Sequence, residues 1–169
     1  MTTTQTLTDR LKELGTLADN EDNAIQRDGA DLITEFFQSF TEEDTSMETT
    51  ALVLHYLTDI QVRDFALGSL DPAKASQQIA MLEYLVEQAP TDSEFINAPA
   101  SLLSVLYYEL GDTPTALLML VNAREDYSLS LLLHRVFRAG WTPEGFAKMR
   151  EELHPQVVAS IYETKKVEA

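Results

Sequence analysis

The sequence predicts an all-α protein built of antiparallel helical hairpins, and three observations carry that expectation. Apolar residues recur at three- and four-residue spacing nearly throughout, the period of one helix face. No segment alternates apolar and polar residues between turn signals, so no sheet is expected. Pro stands just inside the start of several periodic segments and Gly just past the end. Helix termini favour that asymmetry, because Pro lacks an N–H that would be orphaned there and Gly adopts the left-handed C-terminal conformation.

The elements follow in order. Leu7, Leu11, Leu14 and Leu17 make a short stripe, weakened by Gly15. Ala30, Ile33, Phe36, Phe37 and Phe40 define an amphipathic helix over about 22–41, and the polar run 41–50 reads as a loop in which Thr45 or Ser46 caps the next helix. That helix begins at Met47 and stops near Asp59; another carries Val62, Phe65, Ala66 and Leu70. Asp71-Pro72 starts a helix with Ala75, Ile79, Leu82 and Val86 on one stripe. Pro99 opens a helix to Leu110, ended by Gly111. Thr113-Pro114 starts the next, to about Arg124. Ser128 caps a helix to Arg138, ended by Ala139-Gly140. Thr142-Pro143 starts one to about Leu153, and a last helix follows Pro155. About eight helices with short connections imply adjacent antiparallel pairs.

The 169 residues fit one helical domain, with acidic helices in 1–46 and hairpins in 47–169. A chain of this length buries roughly two-thirds of its unfolded surface and needs no metal or disulfide to fold. It has no cysteine, which removes disulfides, thiolate metal sites and thiol nucleophiles. The start has no basic segment followed by an apolar run, and the longest fully apolar run is Ala116–Val121, too short for a bilayer. A soluble, cytoplasmic protein is expected. The net charge is −16, with 13 acids against 3 bases in residues 1–60. Such a face repels phosphates and anionic lipid, so neither direct nucleic-acid binding nor membrane contact is expected.

Catalytic and metal-binding patterns are missing. His55, His134 and His154 lie on different helices or their ends and share no ligand spacing. Glu42, Glu43 and Asp44 are adjacent in a loop, and neighbouring residues point apart. There is no glycine-rich phosphate loop and no G-x-S-x-G elbow. No catalytic residue, metal or cofactor is expected. Arg63 beside Asp64 suits an inter-helix ion pair or a carbonyl network. Trp141, after Gly140, suits a staple packing a loop onto the core; exposed, it becomes a binding hot spot.

Residues 102–123, LLSVLYYELGDTPTALLMLVNA, carry a more specific pattern. Leu103, Ser104, Tyr107, Gly111, Asp112, Ala116, Leu120 and Ala123 stand where a tetratricopeptide repeat places its large, small and turn residues. Ala116 and Ala123 let two helices approach closely, while Tyr107 and Leu120 fill the space between them. The segment resembles such a repeat, and the chain reads either as an irregular solenoid of this type or as a compact bundle containing one hairpin. A longer match uses Val62-Arg63-Asp64, Ala98-Pro99-Ala100, Gly111-Asp112, Tyr127-Ser128-Leu129, Ala139-Gly140 and Pro143. Over about 50–145 this resembles the helical C-terminal part of an actinobacterial family, domain of unknown function 4192, which also occurs in phages of those bacteria. The resemblance implies a source and a fold rather than a chemistry. In that family an α/β portion precedes the helices, and residues 1–50 here carry no strand pattern.

The expected function is therefore a non-enzymatic protein–protein interaction module. In a repeat stack, partners dock on the groove formed by the first helix of each pair. Here that groove is expected to present Ser101, Val105, Tyr108 and Glu109 to a protein or peptide, with Trp141 as a further contact. An end helix with an apolar outer face could pair with its copy in a homodimer. The alternative is an acidic nucleic-acid mimic acting on a basic host protein.

Overall fold

The structure, a computed structural model, describes residues 6–163. Among these it is all-helical: α1 (Leu7–Leu14), α2 (Asn23–Ser39), α3 (Met47–Tyr56), α4 (Ile60–Gly68), α5 (Ala75–Gln88), α6 (Asn97–Glu109), α7 (Thr113–Leu120), α8 (Ser128–Arg138) and α9 (Pro143–Tyr162), with short 3-10 turns before α5 and α6. No helix of the described residues is long and apolar enough to cross a membrane.

Side-chain oxygens set most of the starts. Thr6, Asp22, Ser46, Asp59, Asp112 and Thr142 each accept a backbone N–H from the first turn of the helix that follows, satisfying a donor with no intrahelical partner. Gly15, Gly111 and Gly140 adopt positive φ just past α1, α6 and α8. After α6, Gly111 N–H bonds Tyr108 O and Asp112 N–H bonds Tyr107 O, the paired bonds of a Schellman ending; Gly140 and Trp141 repeat the pattern onto Phe137 and Val136 after α8.

Three expectations change. Pro99 does not open α6, which begins two residues earlier at Asn97 without a side-chain cap bond. The segments on either side of Pro155 are one helix, α9, with Pro155 inside it. The carbonyl that loses its i+4 donor belongs to Glu151, an exposed residue, and Ile161 is buried beyond the proline. Ser128 does not cap α8. It is the first helical residue, and the N-cap is Tyr127, which makes no side-chain cap bond.

α6 is the axis of the molecule: 11 of its 13 residues are buried. Ala98, Pro99, Ala100, Ser101 and Ser104 keep it thin enough for α5, α7, α8 and α9 to pack around it. Against α7 the approach is close enough for the buried Ser104 hydroxyl to donate to Ala116 O at 2.7 Å. α9 runs back across α4 and α2. Asn23 Nδ2 donates to Ser160 O at 3.3 Å and the Tyr162 hydroxyl to Asp31 Oδ1 at 2.6 Å. Contacts between elements so far apart in sequence close the helices into a bundle, whereas an open solenoid pairs only neighbours.

Candidate functional site

Two of the family-like motifs meet in space although 65 residues separate them. Arg63, on α4, is 7% exposed. Its Nη1 donates to Ser128 Oγ at 2.8 Å, while Nε and Nη2 donate to Asp64 Oδ1 at 3.0 and 2.8 Å. The guanidinium carbon lies 5.3 Å from the centroid of the Tyr127 ring, in cation–π range. Burial pushes the Tyr127 phenol above its ordinary value, against the pull of Arg63. The expected inter-helix role of Arg63 thus takes the form of a hydrogen bond and a ring contact; its ion pair is with its own neighbour.

Arg63 and Ser128 form a wall between two cavities. One, of about 250 Å³, is lined by Arg63, Glu94, Phe95, Arg124, Tyr127 and Ser128 among others. The other, of about 310 Å³, lies between α4, α8 and α9 and is more apolar, with Leu67, Leu132, Phe146, Met149, Leu153 and Val157 around Arg63, Asp64, Arg150 and His154. Arg150 anchors its floor. Its side chain and that of Glu109 are each 1% exposed and joined by two bonds of 2.6 and 3.0 Å. Nη1 of Arg150 also donates to Leu67 O and Leu70 O at the C-terminal end of α4, where the helix dipole favours a cation. Burial pushes the Glu109 carboxyl up, and Arg150 opposes that shift. His154 packs its ring against Phe65, with centroids 5.5 Å apart, and its Nδ1 is buried without a partner. Burial, then the charge of Arg150, holds this imidazole below its ordinary value.

The residues expected to line a groove lie inside the molecule. Ser101, Val105 and Tyr108 are buried, and Glu109 is spent on Arg150. The face that a repeat stack would leave open is covered because α8 and α9 fold over α6. The Tyr108 ring packs on Phe137 and Phe146, and its hydroxyl donates to Trp141 O. A partner could reach these four side chains only by displacing those helices. Trp141 is 45% exposed and stands just after the Gly140 turn.

The surface feature that the groove assignment missed is the outer side of α7. Pro114, Leu117, Leu118 and Val121 recur at the spacing of one helix face, opposite Ala116 and Leu120. Leu118 is 64% and Val121 80% exposed, and Leu110 at the preceding turn is also exposed. The stretch 113–123 contains no charged residue. The signal was legible: α7 is apolar on both faces, and only one could be buried against α6. Among the described residues no group of three or more histidines and carboxylates is placed to hold a metal, and Glu42, Glu43 and Asp44 lie on an exposed turn.

Neither a curated protein nor a solved structure matches the chain. A protein-family model does, and its match begins at residue 2 rather than near residue 50, so it takes in the acidic N-terminal helices as well as the later hairpins. By that match, over residues 2–144, the chain belongs to the domain-of-unknown-function family DUF4192.

Proposed function

We propose that the protein is a non-enzymatic contact module whose docking face is the outer side of α7. The observation that carries this reading is the exposure of Leu117, Leu118 and Val121 on one uncharged stripe. Contiguous exposed apolar surface of this kind marks interaction sites. Spacing at i, i+1 and i+4 offers anchors to a second helix. In a chain of net charge −16, a partner steered by charge would be basic and would meet the acidic N-terminal helices. The α7 stripe lacks any charge, so the partner that fits it is an uncharged apolar helix on another protein.

The test places a photo-crosslinking side chain at Asn122, beside the stripe, in the full chain inside cells that encode it. The reading expects a discrete protein adduct whose linked residue maps to an apolar helix. The adduct should vanish in Leu118→Asp/Val121→Asp, a pair of surface changes that leaves urea stability within about 0.5 kcal/mol. Adducts only from a probe at Glu43 on the acidic side would overturn it and favour the mimic reading.

A further inference from the structure

We propose that the cavity between α4, α8 and α9 binds a small amphipathic monocarboxylate, its apolar body against α9 and its carboxylate beside Arg63 and Ser128. The volume of about 310 Å³ has room for about ten water-sized groups and falls at the small end of ligand-binding pockets. Leu67, Leu132, Met149, Leu153 and Val157 supply an apolar body site.

The polar end holds two arginines, each paired with a carboxylate: Arg63 with Asp64 and Arg150 with Glu109. Two arginines and one carboxylate face the cavity, in a chain where acids outnumber bases 28 to 12. The two arginines differ. Arg150 is committed to Glu109 and to the carbonyls ending α4. Arg63 has five N–H groups and spends three, on Asp64 and Ser128. The Tyr127 hydroxyl draws on a further N–H, which leaves one on the terminal nitrogens, on a side chain only 9% exposed. Ser128 accepts from Arg63 and keeps its own hydroxyl hydrogen to donate. A carboxylate takes paired N–H and O–H donors of this kind; an alcohol or an ammonium cannot take them as well. Asp64 limits the attraction, since its carboxylate sits on the same guanidinium.

Isothermal titration of the full chain with octanoate, below its micellar range, tests this against octan-1-ol and octylamine. Octanoate should bind once per chain, at least tenfold more tightly than octan-1-ol, with no binding of octylamine. Leu132 lies at the rim and is exposed, so Leu132→Trp should block the cavity while the circular dichroism and unfolding midpoint stay unchanged. Asp64→Asn should tighten octanoate binding several-fold. Equal affinity for octanoate and octan-1-ol would overturn the proposal, as would octanoate binding that survives in folded Leu132→Trp or fails to saturate.

Discussion

Gly68 shows what one hydrogen atom in place of a side chain can decide. It lies within α4, and a Cβ there would overlap the His154 imidazole. In an isolated helix Gly→Ala stabilises by about 1 kcal/mol. Here overpacking of about 1–3 kcal/mol outweighs that gain. Gly68→Ala should therefore destabilise in urea unfolding, and the same substitution on a His154→Ala background should cost less, since only the His154 Cβ, 2.8 Å from the added methyl, still stands in the way; a double-mutant cycle reads the difference. His154 also makes stability depend on pH. Its imidazole titrates below the ordinary value because it is buried beside Arg150. The folded state favours the neutral ring, so this contribution is full above the unfolded value of about 6.5 and is lost as pH falls through the folded value. The stability difference between the natural chain and His154→Asn should shrink between pH 7 and pH 5. None of this was legible in the sequence: Pro155 made residue 154 read as a helix end, and its partner lies 86 positions earlier.

At the scale of elements, caps written in the sequence performed as their chemistry requires, with Ser46 and Thr142 among them. Asp59 is the instructive case. It reads as the polar end of one helix, yet it caps the next through Val62 N–H. It is 1% exposed and also accepts from Asn20 Nδ2 at 2.8 Å and Gln26 Nε2 at 3.4 Å. Asp59→Ala should cost about 2–4 kcal/mol in urea unfolding, because a lost cap is compounded by stranded donors, one of them on buried Gln26. Ser46→Ala, an exposed cap, should cost about 1 kcal/mol. Equal losses would show that the bonds from Asn20 and Gln26 add nothing. Ser128, read as a cap, is instead the first helical residue of α8, and its hydroxyl accepts from Arg63 on another helix.

For the whole molecule, closure is the governing event. Arg150 binds α9 to the central helix through Glu109 and to the end of α4 through two carbonyls. Glu109→Ala should cost about 3–5 kcal/mol, since it leaves a buried guanidinium without its counter-charge. Glu109→Ala/Arg150→Met should lose markedly less than the two single losses added together. Additive losses, measured by chemical unfolding, would show that the pair does not couple α9 to the bundle. The same closure places α8 and α9 over Ser101, Val105, Tyr108 and Glu109, and turns an expected groove into core.

The sequence by itself determined the helices, most of their ends and the tight α6–α7 turn, because caps, prolines, glycines and the 3.6-residue period act within a few residues of one another. It also contained the apolar outer face of α7, as a helix with two apolar sides and one available neighbour. Only the tertiary structure decided that the chain closes into a bundle, that Arg63 meets Tyr127 and Ser128, and that His154 rests on Gly68. Those outcomes depend on contacts between residues 64 to more than 100 positions apart, and a periodic pattern says which side of a helix is buried without saying against what.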